Sequence, residues 1–175
     1  MSRRTLSRGM TLLLSVGLLL TLGTAPSLAQ EKLKVAGTLS MTEVRMDTMA
    51  IGNVEGHFLA LMRSTGTNAA TGGTKFMDGA QAVNSSASDL VNGNGMHHGY
   101  LILTQGANSV FCKWSGNVTT VQGTEGPRTT FEGTFTWIGG TGEYAKIGGS
   151  GTYRGHYTSK IAYTAEWAGE YSVGK

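Results

Sequence analysis

A glycine-rich stretch near the end of the chain has the spacing of a nucleotide-binding loop. Residues 140–145 read Gly-Thr-Gly-Glu-Tyr-Ala, which formally matches G-x-G-x-x-A. In dinucleotide-binding folds a helix follows this motif, and its first backbone amides hold the pyrophosphate. Here the sequence continues as KIGGSGTY, whose glycines disfavour a helix. We therefore interpret the stretch as tight turns between strands, in which glycine supplies positive φ angles.

Histidine and methionine side chains offer a second chemistry, the binding of a soft metal such as copper. His97 and His98 are adjacent, so in a strand their rings point to opposite faces and cannot easily share one ion. The methionines form no tight repeat with the histidines, and gap-filling in a small core is the simpler interpretation. We predict no metal site and no cofactor, with copper handling as an alternative. The methionines beyond residue 30 are Met41, Met46, Met49, Met62, Met77 and Met96, and the other histidines are His57 and His156.

Carboxylates and a single cysteine could serve hydrolytic or nucleophilic catalysis, but their positions argue against it. Glu132, Glu166 and Glu170 fall on the polar face of alternating segments. Cys112 is flanked by apolar and aromatic residues, which favours a buried and inert thiol. The sequence has no G-x-S-x-G motif and no Ser-His-Asp spacing. It therefore identifies no catalytic residue and favours a protein that is not an enzyme.

The segments that would position a site have the pattern of β-strands. Apolar and polar residues alternate, and 27 glycines against two prolines mark turns. Glycine also alternates with aromatic residues inside strands, which leaves room for a facing ring and favours a closed barrel. We predict an all-β fold, a single antiparallel eight-stranded barrel. The predicted strands include 32–40, 55–63, 97–105, 108–121, 128–140, 149–160 and 160–172.

The stretch 66–94 breaks this pattern. It is polar and rich in glycine, with one weak strand candidate at 74–83. We expect it to form a long loop over one mouth of the barrel.

Aromatic residues share one face of the predicted strands and form the candidate site. They could fill the barrel as a solid core, or they could line a cavity for a small ligand. Because a buried phenol needs a hydrogen-bond partner, the number of tyrosines favours a ligand or bound water inside. The predicted ligand-binding residues are Trp114, Tyr153, Tyr157, Tyr163 and Trp167.

The same glycine-rich region resembles a known family. The stretch GTFTWIGGTGEYAKIGGSGTYRG is similar to the turn-and-strand signature of allene oxide cyclase-like barrels, a calycin-type group that also holds dirigent proteins. The upstream stretch 99–118 resembles the central hairpin of exported bacterial members. The resemblance covers roughly 99–171, implies the barrel fold and a dimer or trimer, and places no catalytic residue. The matching positions are Gly139, Gly140, Thr141, Gly142, Tyr144, Gly149, Gly151 and Tyr153.

The first 29 residues have the features of a secretory signal peptide. A basic start precedes an apolar run, and small residues at Ser27 and Ala29 offer a cleavage site. We predict cleavage after Ala29, by the general or the twin-arginine export route, and a β-barrel domain at 30–175. The mature protein is then periplasmic or secreted, without a membrane anchor.

Removal of this segment changes the charge of the protein. Arg3, Arg4 and Arg8 leave with it, so the remaining basic residues equal the 11 acidic ones. Near-zero charge without a Lys/Arg cluster argues against nucleic acid and against an electrostatic membrane partner. With one cysteine in the chain, no internal disulfide can form.

Three functions remain open from the sequence. The first is an exported barrel that binds a small apolar or aromatic ligand without catalysis. The second is a dirigent-like or cyclase-like enzyme, which steers a reactive intermediate mainly by positioning it. The third is a structural envelope protein with a filled barrel.

Overall fold

The computed structural model of the chain describes residues 31–124 and 126–174, which form a closed barrel of eight antiparallel strands. Each strand pairs with its neighbours in the chain, and the first and last strands pair to close the sheet. The predicted all-β, eight-stranded antiparallel barrel is therefore confirmed. The predicted signal peptide, 1–29, lies outside the described residues and stays a prediction. The strands are β1 (Leu33–Ala50), β2 (His57–Thr71), β3 (Gln81–Val91), β4 (Asn94–Gln105), β5 (Asn108–Gly123), β6 (Gly126–Thr141), β7 (Ile147–Tyr157) and β8 (Ala162–Val173).

Successive side chains of a strand point to opposite faces of the sheet, and the aromatic residues point into the barrel, as the alternation predicts. In β6, Phe131, Phe135 and Trp137 are buried, whereas the intervening Glu132 is exposed. The prediction was wrong at the start of the segment 160–172, where alternation would place Ile161 on the same face as Tyr163. Ile161 lies in the turn before β8 and is 55% exposed, because that strand begins one residue later.

Glycines make room for these rings on the neighbouring strands. Gly37 of β1 pairs with Trp167 of β8, and a Cβ atom at Gly37 would lie 2.7 Å from the indole ring. Gly155 of β7 pairs with Phe131, whose ring would lie 2.4 Å from an added Cβ atom. Both distances are far shorter than normal contacts, so a larger residue would displace the ring. The expected role of glycine opposite the aromatic residues is thus observed.

The stretch that matched the nucleotide-binding motif is the connection between β6 and β7. It contains a single 3-10 turn at Gly142–Tyr144, and β7 begins at Ile147. Gly142 has φ 60°, as expected for a tight turn. The described residues form no helix long and apolar enough to cross a membrane.

The prediction of a long loop over 66–94 was wrong in its extent. β2 continues to Thr71 and β3 covers Gln81–Val91, so most of this stretch is paired sheet. The strand candidate at 74–83 was right only for residues 81–83, which begin β3, because residues 76–79 form a turn. The error arose because a strand that is hydrogen-bonded to a neighbouring strand on each side can contain serine, asparagine and glycine, although asparagine and glycine have a low strand propensity.

The remaining connection, residues 72–80, closes one mouth of the barrel and is called the plug here. Phe76, Met77 and Ala80 are buried and belong to the core cluster. Four aromatic rings surround Phe76, with centroid distances between 4.7 and 6.0 Å. This part of the expected excursion over a barrel mouth is confirmed. The four rings belong to Trp137, Tyr144, Trp167 and Tyr171.

Asn68, near the end of β2, ties the plug to the barrel wall. Its side-chain amide donates to the backbone oxygens of Phe76 (3.3 Å) and Met77 (2.9 Å). Its side-chain oxygen accepts a 2.9 Å hydrogen bond from the indole of Trp167. Its backbone amide donates to Ala80, again at 2.9 Å. Asn68 is only 1% exposed. Removal of its side chain would therefore leave the carbonyls of Phe76 and Met77 and the indole N–H of Trp167 without this partner and with little access to water.

We expect Asn68→Ala to lower the free energy of unfolding by about 3 kcal/mol or more, because each buried group that loses its partner costs about 1–3 kcal/mol. Urea denaturation followed by far-ultraviolet circular dichroism measures this change. The matched control is Asn117→Ala on the outer face of β5, where asparagine is exposed. The control should change stability by less than about 0.5 kcal/mol. Equal losses in the two variants would contradict the role of Asn68.

Candidate ligand-binding site

A cavity of about 580 Å³ occupies the barrel interior. Its floor is formed by Trp137 and Trp167, which also contact Phe76 of the plug. Its mouth lies at the opposite end of the barrel, where Pro127 and Lys160 belong to its lining. The interior is therefore filled beneath the plug and open at the other end, so a solid barrel does not describe it.

All five residues predicted to bind a ligand line this cavity. Each reaches it from the inward face of a strand, and together they span β5, β7 and β8. Their placement follows from the alternation of the sequence, while their contact with a ligand stays a prediction. The five are Trp114, Tyr153, Tyr157, Tyr163 and Trp167.

The phenol of Tyr163 is hydrogen-bonded within the protein. Its oxygen lies 2.8 Å from the Ser64 hydroxyl, and it accepts a 3.3 Å bond from the side-chain amide of Asn84. The oxygen of Asn84 in turn accepts a 2.9 Å bond from the indole of Trp114. This network holds two predicted ligand-binding rings on β5 and β8 against polar residues of β2 and β3.

The other tyrosine hydroxyls of the predicted site also have protein partners. Tyr153 lies 3.0 Å from His97 Nε2, and Tyr157 donates a 2.6 Å bond to Glu43. The number of tyrosines therefore does not favour a ligand or bound water, because the three hydroxyls have partners within the protein. Sequence alternation shows that a phenol is buried but cannot show which residue on another strand faces it.

His97 and His98 point to opposite faces of β4, as expected. His97 is buried among the rings of Trp114, Phe131 and Tyr153, whereas His98 is exposed. Burial, together with the nearby charge of His98, lowers the pKa of His97 to about 4. His97 is therefore neutral at physiological pH and lines the cavity as an uncharged imidazole.

Glu43 is one residue of the cavity that sequence reasoning missed. Its carboxylate lies in the lining, and Oε1 accepts the hydrogen bond from Tyr157, whose oxygen also lies 3.7 Å from the sulfur of Met62. Burial, and next the adjacent carboxylate, raises the pKa of Tyr157, so its hydroxyl remains a donor. The signal was present, because continuing the alternation of Leu39 and Met41 places Glu43 inward.

The backbone around Glu43 fixes its position at the mouth. Thr42 is the last residue of β1 that pairs with β8, and the amide of Glu43 donates a 2.7 Å bond to the carbonyl of Ile161. The pairing of β1 with β2 then shifts its register between Glu43 and Arg45. Such a bulge bends a strand and redirects its side chains, which is common beside functional sites.

The remaining candidates from the sequence lie in ordinary structural roles. Cys112 is buried in the cavity wall, and burial raises its pKa to about 12, so it stays a thiol. Glu166 pairs with Arg154 at 2.9 Å, and Glu170 pairs with Lys32, so both carboxylates face outward as expected.

The described part of the chain, 31–124 and 126–174, holds no group of three His, Cys, Asp or Glu side chains that could bind a metal ion. The methionines considered for copper fall in three different surroundings. Met41, Met46 and Met62 line the cavity, Met77 lies in the plug, and Met96 is 66% exposed.

Comparison with known proteins gives matches of structure only. No protein-family model matches the chain, and no curated protein sequence matches it. A solved structure of a pyocyanin demethylase shares 16% identity, with a TM-score of 0.41, over 76% of this chain and 99% of that one. Two pterocarpan synthase dirigent proteins share 11% and 12% identity, with TM-scores of 0.47 and 0.43. These matches cover 84% and 83% of this chain and 90% and 97% of theirs.

We expect His97 to make stability fall on mild acidification. Its pKa in the folded protein, about 4, lies below the ordinary value of 6.5, so the unfolded chain takes up the proton first. The stability that neutral His97 contributes to the folded protein is fully present above pH 6.5 and declines as the pH falls to about 4. Below pH 4 this contribution does not decline further. Between pH 7 and pH 4.5 the wild type should lose on the order of 2 kcal/mol more than His97→Gln.

Urea denaturation at the two pH values measures this difference. The control is His98→Gln, which removes only the smaller, electrostatic cause of the lowered pKa and should keep most of the wild-type pH dependence, because the burial of His97 is unchanged. The same pH dependence in the His97 and His98 variants would show that the buried imidazole is not its source.

Proposed function

We propose that the barrel binds one small, largely apolar or aromatic molecule in its interior. The observation that carries the proposal is the cavity of about 580 Å³ that is closed by the plug at one end and accessible at the other. Pockets for small organic ligands usually measure about 300–1,000 Å³ and are lined mainly by apolar and aromatic side chains. The size and the lining both fall within this class.

The internal hydrogen bonds support a binding surface made of ring faces. Because the polar atoms of Trp114, Tyr163 and Trp167 are bonded to Asn84, Ser64 and Asn68, these side chains are held in place. Rings that are fixed before binding lose little conformational entropy when a ligand arrives. The proposed contacts are therefore stacking and packing against Trp114, Tyr153, Tyr157, Tyr163 and Trp167.

One polar atom near the cavity floor is without a protein partner. Trp137 lines the cavity, and its indole nitrogen is buried with no hydrogen-bond acceptor among the described residues. A buried unpaired donor costs about 1–3 kcal/mol. A ligand or bound water with an acceptor atom beside Trp137 would recover this cost.

We further propose that the barrel acts outside the cytoplasm, in the periplasm or in the medium. The support is the basic and apolar leader that ends near Ala29. N-terminal sequencing of the protein recovered from those compartments should give Gln30 as the first residue. Recovery of an intact Met1 there would contradict cleavage.

We expect a large side chain at Ala165 to block the cavity. Ala165 points inward from β8 and lines the cavity, whereas Ala168 of the same strand is exposed. Ala165→Phe should weaken binding of the neutral dye N-phenyl-1-naphthylamine by at least about tenfold, while Ala168→Phe should leave it unchanged. Dye fluorescence measures binding, and circular dichroism confirms that both variants fold.

Two results would count against a binding cavity. One is failure of the dye to bind the wild type, and the other is equal binding by the two alanine variants. If Ala165→Phe does not fold, Ala165→Met gives a smaller change of volume at the same position.

A second candidate function is an enzyme of the dirigent or cyclase type, and the Glu43–Tyr157 pair favours it. A carboxylate inside an apolar cavity can accept a proton from a bound molecule, and a phenol bonded to it can donate one. The 2.6 Å bond between Tyr157 and Oε1 leaves Oε2 without a hydrogen-bond partner among the described residues. The barrel would contribute by orienting the reacting molecule toward this oxygen.

We expect proton transfer by Glu43 to be visible as hydrogen exchange. Compounds released from the purified protein are identified by mass spectrometry and are then incubated with it in deuterated water. The wild type should introduce deuterium at least about a hundredfold faster than Glu43→Gln, in line with the usual contribution of a general base. Glu132→Gln, an exposed carboxylate of β6, should match the wild type. Equal exchange rates with and without protein would contradict the enzyme proposal and would be consistent with binding alone.

A further inference from the structure

The mouth of the cavity combines one carboxylate with three aromatic rings, and this group is called the mouth cage. Its members all line the cavity and come from β1, β6, β7 and β8. The mouth cage consists of Glu43, Phe131, Tyr157 and Tyr163.

The three rings stand at steep angles to one another. The rings of Phe131 and Tyr163 are 5.6 Å apart between centroids, with planes at 87°. Phe131 and Tyr157 are 6.2 Å apart at 82°, and the two tyrosines are 5.5 Å apart at 49°. None of the three ring pairs is stacked in parallel, and all three rings also line the cavity. Aromatic cages for alkylated ammonium groups use the same principle, because a ring face carries negative partial charge.

The carboxylate lies close to two of these rings, those of Tyr157 and Tyr163. Tyr157 donates its 2.6 Å bond to Glu43, and the charge of the same carboxylate contributes to a raised pKa of Tyr163, after burial. Both tyrosines therefore lie within electrostatic reach of Glu43. A carboxylate in such surroundings interacts more strongly with a charge than it would in water, since the effective dielectric constant is lower.

No cationic side chain of the described residues offsets this charge inside the cavity. His97 is neutral at physiological pH, as its buried position requires. Lys160 is the one Lys or Arg of the lining, and it is exposed in the turn at the rim. The interior thus combines one negative charge with ring faces that also attract positive charge. An anionic ligand would find no buried cation here to offset the loss of its hydration.

We infer that the ligand of this barrel is an organic cation, a compact or planar molecule whose alkylated nitrogen lies in the mouth cage. The inference rests on the proposed binding function and narrows it to one class of ligand. The apolar body of the molecule extends toward the floor, against Trp114 and Trp167. Because the cation contacts the carboxylate and the ring faces together, it should bind more tightly than a neutral molecule of the same shape.

The test uses three bicyclic probes that differ in charge and hardly in size. These are 1-methylquinolinium, its neutral isostere 1-methylnaphthalene, and the anion 1-naphthoate. Each displaces bound N-phenyl-1-naphthylamine in a fluorescence competition assay. The cation should bind the wild type at least about tenfold more tightly than the neutral isostere, and the anion most weakly.

A matched pair of charge-removing variants locates the source of this preference. Glu43→Gln keeps an oxygen that can accept from Tyr157 and should abolish the preference for the cation. Its affinity for the neutral isostere is measured in the same assay, so that a loss common to both probes is separated from a loss specific to the cation. Glu132→Gln removes an equal charge from the outer face and should keep the preference.

The outcomes separate this inference from the binding proposal itself. Equal affinity of the wild type for the cation and its neutral isostere would overturn the inference while the dye still demonstrates a cavity. A preference that persists in Glu43→Gln would overturn it as well. Failure of the dye to bind would instead refute the cavity. The comparison on the wild type needs no variant, so it remains decisive if Glu43→Gln does not fold.

Discussion

The hydrogen bonds of Asn68 determine which end of the barrel is filled. This one side chain joins the carbonyls of Phe76 and Met77 to the indole of Trp167, and so attaches the plug to the wall of the sheet. A closed sheet of eight strands has room for side chains or for one small ligand. Because the plug places Phe76 among the rings at one end, that end becomes a solid core. The space that remains lies toward the opposite mouth and is the cavity.

The walls of this cavity are rigid for two connected reasons. Glycines on neighbouring strands let the aromatic rings lie close to the sheet, as Gly37 does beneath Trp167. Polar residues of β2 and β3 then bond the heteroatoms of those rings, as Asn84 does for Trp114 and Tyr163. One side of the barrel supplies rings and the other supplies their partners. What remains for a ligand is a set of fixed ring faces, and this favours recognition by shape and by the electrostatics of aromatic rings.

Charge is distributed differently inside and outside the barrel. On the outer face, carboxylates such as Glu166 pair with basic side chains in solvent, where an ion pair contributes little to stability. Inside, Glu43 is bonded to a phenol instead of a cation. A carboxylate with this environment is useful either as a proton acceptor or as the counter-ion of a bound cation. Both uses depend on the bulge after Glu43, where β1 separates from β8.

The sequence by itself determined the features that repeat along a strand. Alternation placed Phe131, Phe135 and Trp137 inward and Glu166 outward, and it identified five side chains that line the cavity. The tertiary structure decided which residues of different strands face each other. Tyr157 and Glu43 are 114 positions apart, and Tyr163 and Ser64 are 99 apart. Periodicity is a local property, whereas these pairs depend on the register of strands and on closure of the sheet. For the same reason the pattern of residues indicated an excursion over one mouth, but not the burial of Phe76 in the core, the bulge or the open end.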